Sequence, residues 1–276
     1  MAMDSELRRR VATAAVLVPL VVAGVLWAPS PLFATLAAAL VLGGAWEWCR
    51  MMGWSSGAAR VLFLGTTAVL LALATRVDPT WVLLAGVGWW LLAIAWVVRF
   101  EQGSAPLAAA GGVVDTLVRA TVGWVILVPA WLGLVLVQHA SPALALLLLV
   151  VVWGADCGAY FAGRAFGRNR LAPRTSPGKT IEGVAGGVVL AVVIGTLVPG
   201  SVGWQHALAP AWVALLVVVV LVSVLGDLAE SMFKRLAGIK DSGTLLPGHG
   251  GVLDRIDSLT SAVPCFALGL LLTGLA

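Results

Sequence analysis

GVAGGVVLAVVIGTLVPGSVGWQHALAPAWVALLVVVVLVSVLG, residues Gly183–Gly226, runs for 44 residues without a formal charge. A helix that crosses a bilayer needs about 20 mostly apolar residues, so this stretch predicts two spans, parted between Pro199 and Pro210. The same pattern repeats outward from it. Val11–Trp46 and Ala120–Ala155 are charge-free runs of 36 residues each, broken at Pro29-Ser30-Pro31 and near His139-Ala140-Ser141-Pro142. Val61–Thr75, Pro79–Val98 and Ser258–Ala276 add one span apiece, Val61–Thr75 being the shortest. The expectation is an all-α polytopic integral membrane protein of about nine transmembrane helices. A chain that is 61% apolar and 11% charged, with a mean hydropathy of +1.03, is not a soluble globular domain.

Charge placement predicts the topology independently. With a cytoplasmic amino terminus, nine spans put Arg8–Arg10, Arg50, Arg60, Arg99, Arg119, the five cations from Arg164 to Lys179, Lys234, Arg235, Lys240 and Arg255 inside, and only Arg76 outside. The carboxyl terminus is then expected outside. Arg8-Arg9-Arg10 ahead of an apolar run resembles a signal peptide, but no A-x-A pattern follows, so an uncleaved first helix is expected. The net charge of +4 is accounted for by arginines facing anionic headgroups and calls for no nucleic acid. Cys49, Cys157 and Cys265 have neither disulfide-framework nor zinc spacing.

The charges divide the chain. Residues 1–150 carry 14, scattered at loop ends, and read as about five scaffold helices with room for dimer contacts. Residues 151–276 hold the other 16, nearly all in two loops, 164–180 and 231–257, and the helix ends that feed them. At 1.5 Å per residue, Asp156 and Asp227 lie roughly 21 and 25 Å along helices entering from outside, just within the inner membrane face. A carboxylate there is costly unless it meets water, a cation or a partner. Pairing with a nearby arginine is the plain alternative for Asp156. Asp227 shares a helix face with Glu230 and Ser231, and two like charges so stacked favour a bound metal.

Asp254 and Asp257 stand at the entrance of the last helix, where acids stabilise an amino terminus. That could account for Asp257 fully. It accounts less well for Asp254, which sits beside Arg255 and after Gly248, His249, Gly250 and Gly251; glycines there let backbone approach something closely. His249 is open between proton donor, anion contact and mere polarity. In the other loop, Pro177-Gly178-Lys179-Thr180 is not a P-loop, because position 173 is Pro. It reads instead as a turn into a helix starting near Thr180 with Glu182 in its first turn, where N–H groups and Lys179 could hold a phosphate. Carboxylates without His or Cys companions favour Mg²⁺. With Lys and Arg, that is the set required for phosphoryl or nucleotidyl transfer to a lipid-borne group.

The run Ser231–Asp257 resembles the signature of the phosphatidate cytidylyltransferases, also called CDP-diacylglycerol synthases. The resemblance rests on Ser231, Lys234, Arg235, Lys240, Asp241, Gly243, Leu246, Pro247, His249, Gly250, Gly251, Asp254, Arg255 and Asp257. It extends to Ala45-Trp46-Glu47-Trp48, to Asp156 with Tyr160, Gly163, Arg164, Phe166 and Gly167, and to Ser176-Pro177, Lys179-Thr180 and Glu182-Gly183. One departure is Gly178, where the family usually has Lys; Arg174 could cover for it.

The resemblance implies CTP plus phosphatidate giving CDP-diacylglycerol and pyrophosphate, in the bacterial inner membrane with the active site facing the cytoplasm. It implies Mg²⁺, possibly with a second cation, and a homodimer. Carried onto this chain, Asp227 and Asp254 hold metal, with Asp156 less firmly attached to that set. The catalytic group is Asp227, Asp254, Lys240 and His249. Substrate contacts fall to Arg174, Ser176, Lys179, Thr180, Lys234, Arg235, Asp241, Gly250, Gly251 and Arg255. The alternatives are a CTP-dependent enzyme with another lipid acceptor, and a transporter using the buried acids as ion sites. Outer helix halves nearly free of charge argue against the transporter.

Overall fold

The computed structural model describes residues 2–104, 112–201, 206–243, 245 and 250–274, the side chains of 2–12, 112 and 201 aside. Its elements run in the order α1 Ala2–Trp27, α2 Ser30–Met51, α3 Gly57–Ala74, α4 Pro79–Glu101, α5 Gly112–Ala140, α6 Pro142–Phe166, β1 Arg170–Ala172, β2 Ser176–Thr180, α7 Ile181–Ser201, α8 Pro210–Leu236 and α9 Leu253–Thr273. Among the described residues, α2 to α9 are eight helices long and apolar enough to cross a membrane, and α1 adds the shorter apolar stretch Thr13–Trp27. The chain is an all-α polytopic membrane protein, as its charge-free runs predict.

Proline marks where several spans begin. Pro31, Pro79, Pro142 and Pro210 lie in the first turns of α2, α4, α6 and α8, where a missing N–H costs nothing. Asp78 and Ser141 cap α4 and α6 by accepting from Thr80 N at 2.8 Å and Leu144 N at 3.2 Å.

Three features depart from the sequence expectations. Loop 164–180 contains a two-stranded antiparallel hairpin, with Arg170 opposite Thr180 and Ala172 opposite Ser176. Helices α6 and α8 run on to Phe166 and Leu236, into the stretches 164–180 and 231–257 read as loops. Helix α9 starts at Leu253, not Ser258, so Asp257 lies inside the helix rather than ahead of it. The division at residue 150 follows charge alone, since α6 runs through it.

Five tryptophans tie helices together through their indole N–H groups. Trp48 donates to Arg119 O, Trp90 to Thr260 O, Trp124 to Thr67 Oγ1, Trp131 to Ala34 O and Trp212 to Gly195 O. Lipid is no less apolar than a helix face, so packing and such bonds, not the hydrophobic effect, hold spans together. Helices α6 and α7 pack closest. A Cβ on Gly187 would come 2.7 Å from Ala155 O, and one on Gly158 would come 2.8 Å from Gly186 O. Backbone cannot yield there, so the pair requires bare glycine.

Gly187→Ala should therefore lower the thermal unfolding midpoint in detergent, with an overpacking cost of about 1–3 kcal/mol. Gly88→Ala, where a Cβ meets nothing within 4 Å, serves as the control and should leave the midpoint nearly unchanged. Equal behaviour of the two variants would contradict the close α6–α7 contact.

Candidate active site

The carboxyl ends of α2, α4, α6 and α8 and the amino ends of α7 and α9 meet at one end of the bundle. Buried or half-buried carboxylates there collect backbone N–H groups. Glu101, at the end of α4, accepts from Arg174 N at 3.0 Å, Thr175 N at 2.7 Å and Thr175 Oγ1 at 2.5 Å, which pins the hairpin turn. Glu182, in the first turn of α7, accepts from Arg168 N at 3.1 Å, Asn169 N at 3.2 Å and Asn169 Nδ2 at 2.7 Å, which pins the turn into β1. Thr180 Oγ1 accepts from Gly183 N at 3.1 Å and so caps α7. Glu47, at 2% exposure, accepts from Val252 N at 3.0 Å, Leu253 N at 2.8 Å and Ser242 Oγ at 3.0 Å. It caps α9 from another helix, where Val252 has no side-chain cap of its own.

These anchors surround a cavity of about 410 Å³. Its polar half carries Asp156 from α6, Lys179 and Thr180 from β2, Asp227 from α8, and Asp254, Arg255 and Asp257 from α9. Its apolar half is Val220 and Val224 of α8 facing small residues of α6 and α7. Lys179 Nζ lies 2.5 Å from Asp227 Oδ2, and Ser231 Oγ donates to Asp227 Oδ1 at 3.2 Å. Asp254 is held from three sides: by Lys234 Nζ at 2.8 Å, Ser242 N at 3.0 Å and Gly251 N at 2.8 Å. Lys234 also stands 3.4 Å from Glu230, whose two carboxylate oxygens are otherwise without hydrogen-bond partners among the described residues.

Of the residues singled out from sequence, Asp156, Lys179, Thr180, Asp227, Asp254 and Arg255 line this one cavity. Lys234 and Gly251 stand behind it as partners of Asp254, and a Cβ on Gly250 would press on Asp254 Oδ2 at 2.8 Å. The structure does not bring the rest to the cavity wall. Arg174 lies over the Phe100 ring, 5.7 Å from its centroid, and Ser176 opens β2. Arg235 is exposed in the last turn of α8, and Lys240 and Asp241 are exposed beyond it. His249, Leu246 and Pro247 lie outside the described residues.

Both acids of α9 line the cavity. Asp254 is held by Lys234 and by backbone N–H groups, whereas Asp257 accepts from the adjacent Ser258 N at 2.7 Å and lies against Glu230. Sequence reading overlooked Asp257 and Tyr160 as cavity residues and Glu47 as an anchor. Gly178 also lines the cavity, with nothing within 4 Å of where a Cβ would sit.

The donor set around the cavity is all oxygen, which suits Mg²⁺. Among the described residues no three carboxyl, His or Cys groups are gathered tightly enough to hold an ion. Lysines occupy two of the carboxylates.

A family model described as "Cytidylyltransferase family" matches residues 8–273. The chain belongs to the cytidylyltransferase family. It is similar to a protein of Pseudomonas aeruginosa named phosphatidate cytidylyltransferase, at 44% identity over 95% of this chain and 96% of that one. A Haemophilus influenzae protein of the same name is 34% identical over 95% of this chain and 97% of its own length. One from Brucella suis is 53% identical, across 42% of each chain. The chain is thus a nucleotidyltransferase embedded in a membrane, and the cavity described above carries both charged and apolar lining.

The two lysines should differ in kind. Lys234→Met leaves Glu230 and Asp254 buried without a cation, at a cost of about 3–5 kcal/mol, and lowers the unfolding midpoint in detergent. Lys179→Met removes a pair about a quarter exposed at the cavity and should cost less, on the order of 1 kcal/mol. Equal destabilisation by both would contradict this assignment.

Proposed function

We propose that the protein transfers a cytidylyl group from CTP to phosphatidate, giving CDP-diacylglycerol and pyrophosphate, at the cytoplasmic face of a bacterial inner membrane. The observation that carries the reading is the cavity itself. Its charged end, with Lys179 on Asp227, adjoins an apolar end of Val220 and Val224. A phosphate on a diacylglycerol has the same two halves. The names of the full-length relatives support the same acceptor. The orientation is supported by sixteen Lys and Arg residues assigned to one side against Arg76 alone on the other.

In this reading a phosphate oxygen of phosphatidate attacks the α-phosphorus of CTP. The new P–O bond forms as the bond from the α-phosphorus to the bridging oxygen breaks, and pyrophosphate leaves with that electron pair. A phosphomonoester already carries about −1.5 to −2 at neutral pH, so no general base is required. The barrier is the approach of two anions, and preorganised cations lower it. Lys179 gives up Asp227 for the nucleotide phosphates, and Arg255 faces them across the cavity. Asp227 and Asp254, with Asp156 beside them, would hold Mg²⁺, which when bound supplies charge neutralisation on the transferring and leaving phosphates. The homodimer implied by the resemblance would use α1–α5, the stretch read as scaffold with room for dimer contacts.

Purified protein in detergent, given labelled CTP, phosphatidate and Mg²⁺, should form a CDP-lipid and pyrophosphate. Asp227→Asn and Asp254→Asn should each abolish turnover, by at least about 10³-fold, while the protein stays folded. Product with a different phospholipid but not with phosphatidate would overturn the acceptor. Retained turnover in either variant would overturn the assignment of Mg²⁺ ligands.

A further inference from the structure

Glu47 stands far in sequence from every residue of the cavity, yet its carboxylate lies in the segment that delivers Asp254. It is buried to 2% exposure, and none of the described ion pairs includes it. Its charge is met only by Val252 N, Leu253 N and Ser242 Oγ, and by the amino end of α9. Ser242 gives its hydroxyl to Glu47 and its backbone N–H to Asp254. Val252 and Leu253, which donate to Glu47, lie between Gly251, which donates to Asp254, and Asp254 itself.

Two glycines of this segment, Gly243 and Gly251, are explained by the same carboxylate. A Cβ on Gly243 would run into Oε1, Cδ and Cγ of Glu47, and one on Gly251 would run into Ser242 Oγ and the Glu47 carboxylate. Gly243 has no positive φ, so space, not backbone conformation, forbids a side chain there.

We infer that Glu47 is a positioning residue for the transfer: acting through Ser242, Val252 and Leu253, it fixes the place of Asp254 relative to the Lys179–Asp227 pair across the cavity. The inference rests on the functional reading above for the reaction, and on geometry alone for the anchoring. Gln at position 47 keeps the volume but turns an amide NH₂ toward one of the donating N–H groups. Asp at 47 is one methylene short of the same donors. Neither substitution touches the cavity wall.

The test combines kinetics with amide exchange in detergent. Glu47→Gln should lower kcat on the order of 10²-fold, as a misplacement of about 1 Å does, with the KM for CTP and for phosphatidate moving far less. Exchange at the amides of Val252 and Leu253 should rise in the same variant. Gly243→Ala should reproduce the kinetic loss, because its methyl displaces Glu47. In a Glu47→Ala background, Gly243→Ala should cost nothing further, the methyl occupying the space vacated.

Unchanged kcat in Glu47→Gln with raised exchange would overturn the positioning role and leave Glu47 as a helix cap. Multiplicative losses in the double variant would overturn the contact itself. Absence of any transfer from CTP in the unsubstituted protein would overturn the functional reading instead. The exchange measurement and the same double-variant cycle, read in unfolding midpoints, would then still decide whether Glu47 holds the segment.

Discussion

Backbone N–H groups that leave a helix at the edge of a bilayer must find an acceptor, and here carboxylates on other elements supply it. Unpaired, each buried donor costs several kcal/mol in hydrocarbon. Glu47 closes the segment before α9, Glu101 the hairpin turn, Glu182 the turn into β1, and Asp254 the backbone at Ser242 and Gly251. Hydrogen bonds to a charged acceptor contribute about 1.5–3 kcal/mol each. The two loops that build the site are consequently held by acids whose own helices are rigid in the membrane. The geometry of the candidate site is a by-product of satisfying the ends of helices.

That arrangement also governs the charges inside the cavity. Asp227 and Asp254 face opposite environments although each is paired with a lysine. Lys179 reaches Asp227 from a strand at the cavity edge, with about a quarter of each side chain exposed, so the pair can exchange partners with an incoming anion. Lys234 is locked between Glu230 and Asp254 behind the wall, where removing a charge leaves its partners stranded. The first pair is free to open, whereas the second fixes the place of Asp254. The apolar floor of Val220 and Val224 then gives a lipid-borne acceptor a place beside the first pair.

The spans were legible in the sequence because charge-free length is a local property, and prolines at 31, 79, 142 and 210 punctuate it. Convergence of Asp156, Lys179, Asp227, Asp254 and Arg255 was legible too, because alternation of helices forces their ends to one side. The hairpin was not: strands of three and five residues, one of them containing Pro177 and Gly178, carry no alternating apolar pattern. The start of α9 was misplaced because the apolar run begins only after Asp257, so Asp257 read as a cap ahead of the helix rather than as a second acid of the cavity. Arg174, a substrate contact by the resemblance, lies over Phe100 because Glu101, 73 residues earlier, holds its segment there. Glu47 escaped for the same reason, its partners lying 195 to 206 residues away. Local pattern records helices; it does not record which distant carboxylate closes their ends.

The central claim is that this cavity receives the nucleotide, with Lys179 exchanging Asp227 for phosphate. An experimental structure of the protein with a non-reactive CTP analogue and Mg²⁺ tests it most directly. The account predicts the triphosphate between Lys179 and Arg255, with Lys179 Nζ bonded to a phosphate oxygen and no longer to Asp227. A nucleotide seated outside the cavity, with the Lys179–Asp227 pair intact, would contradict it.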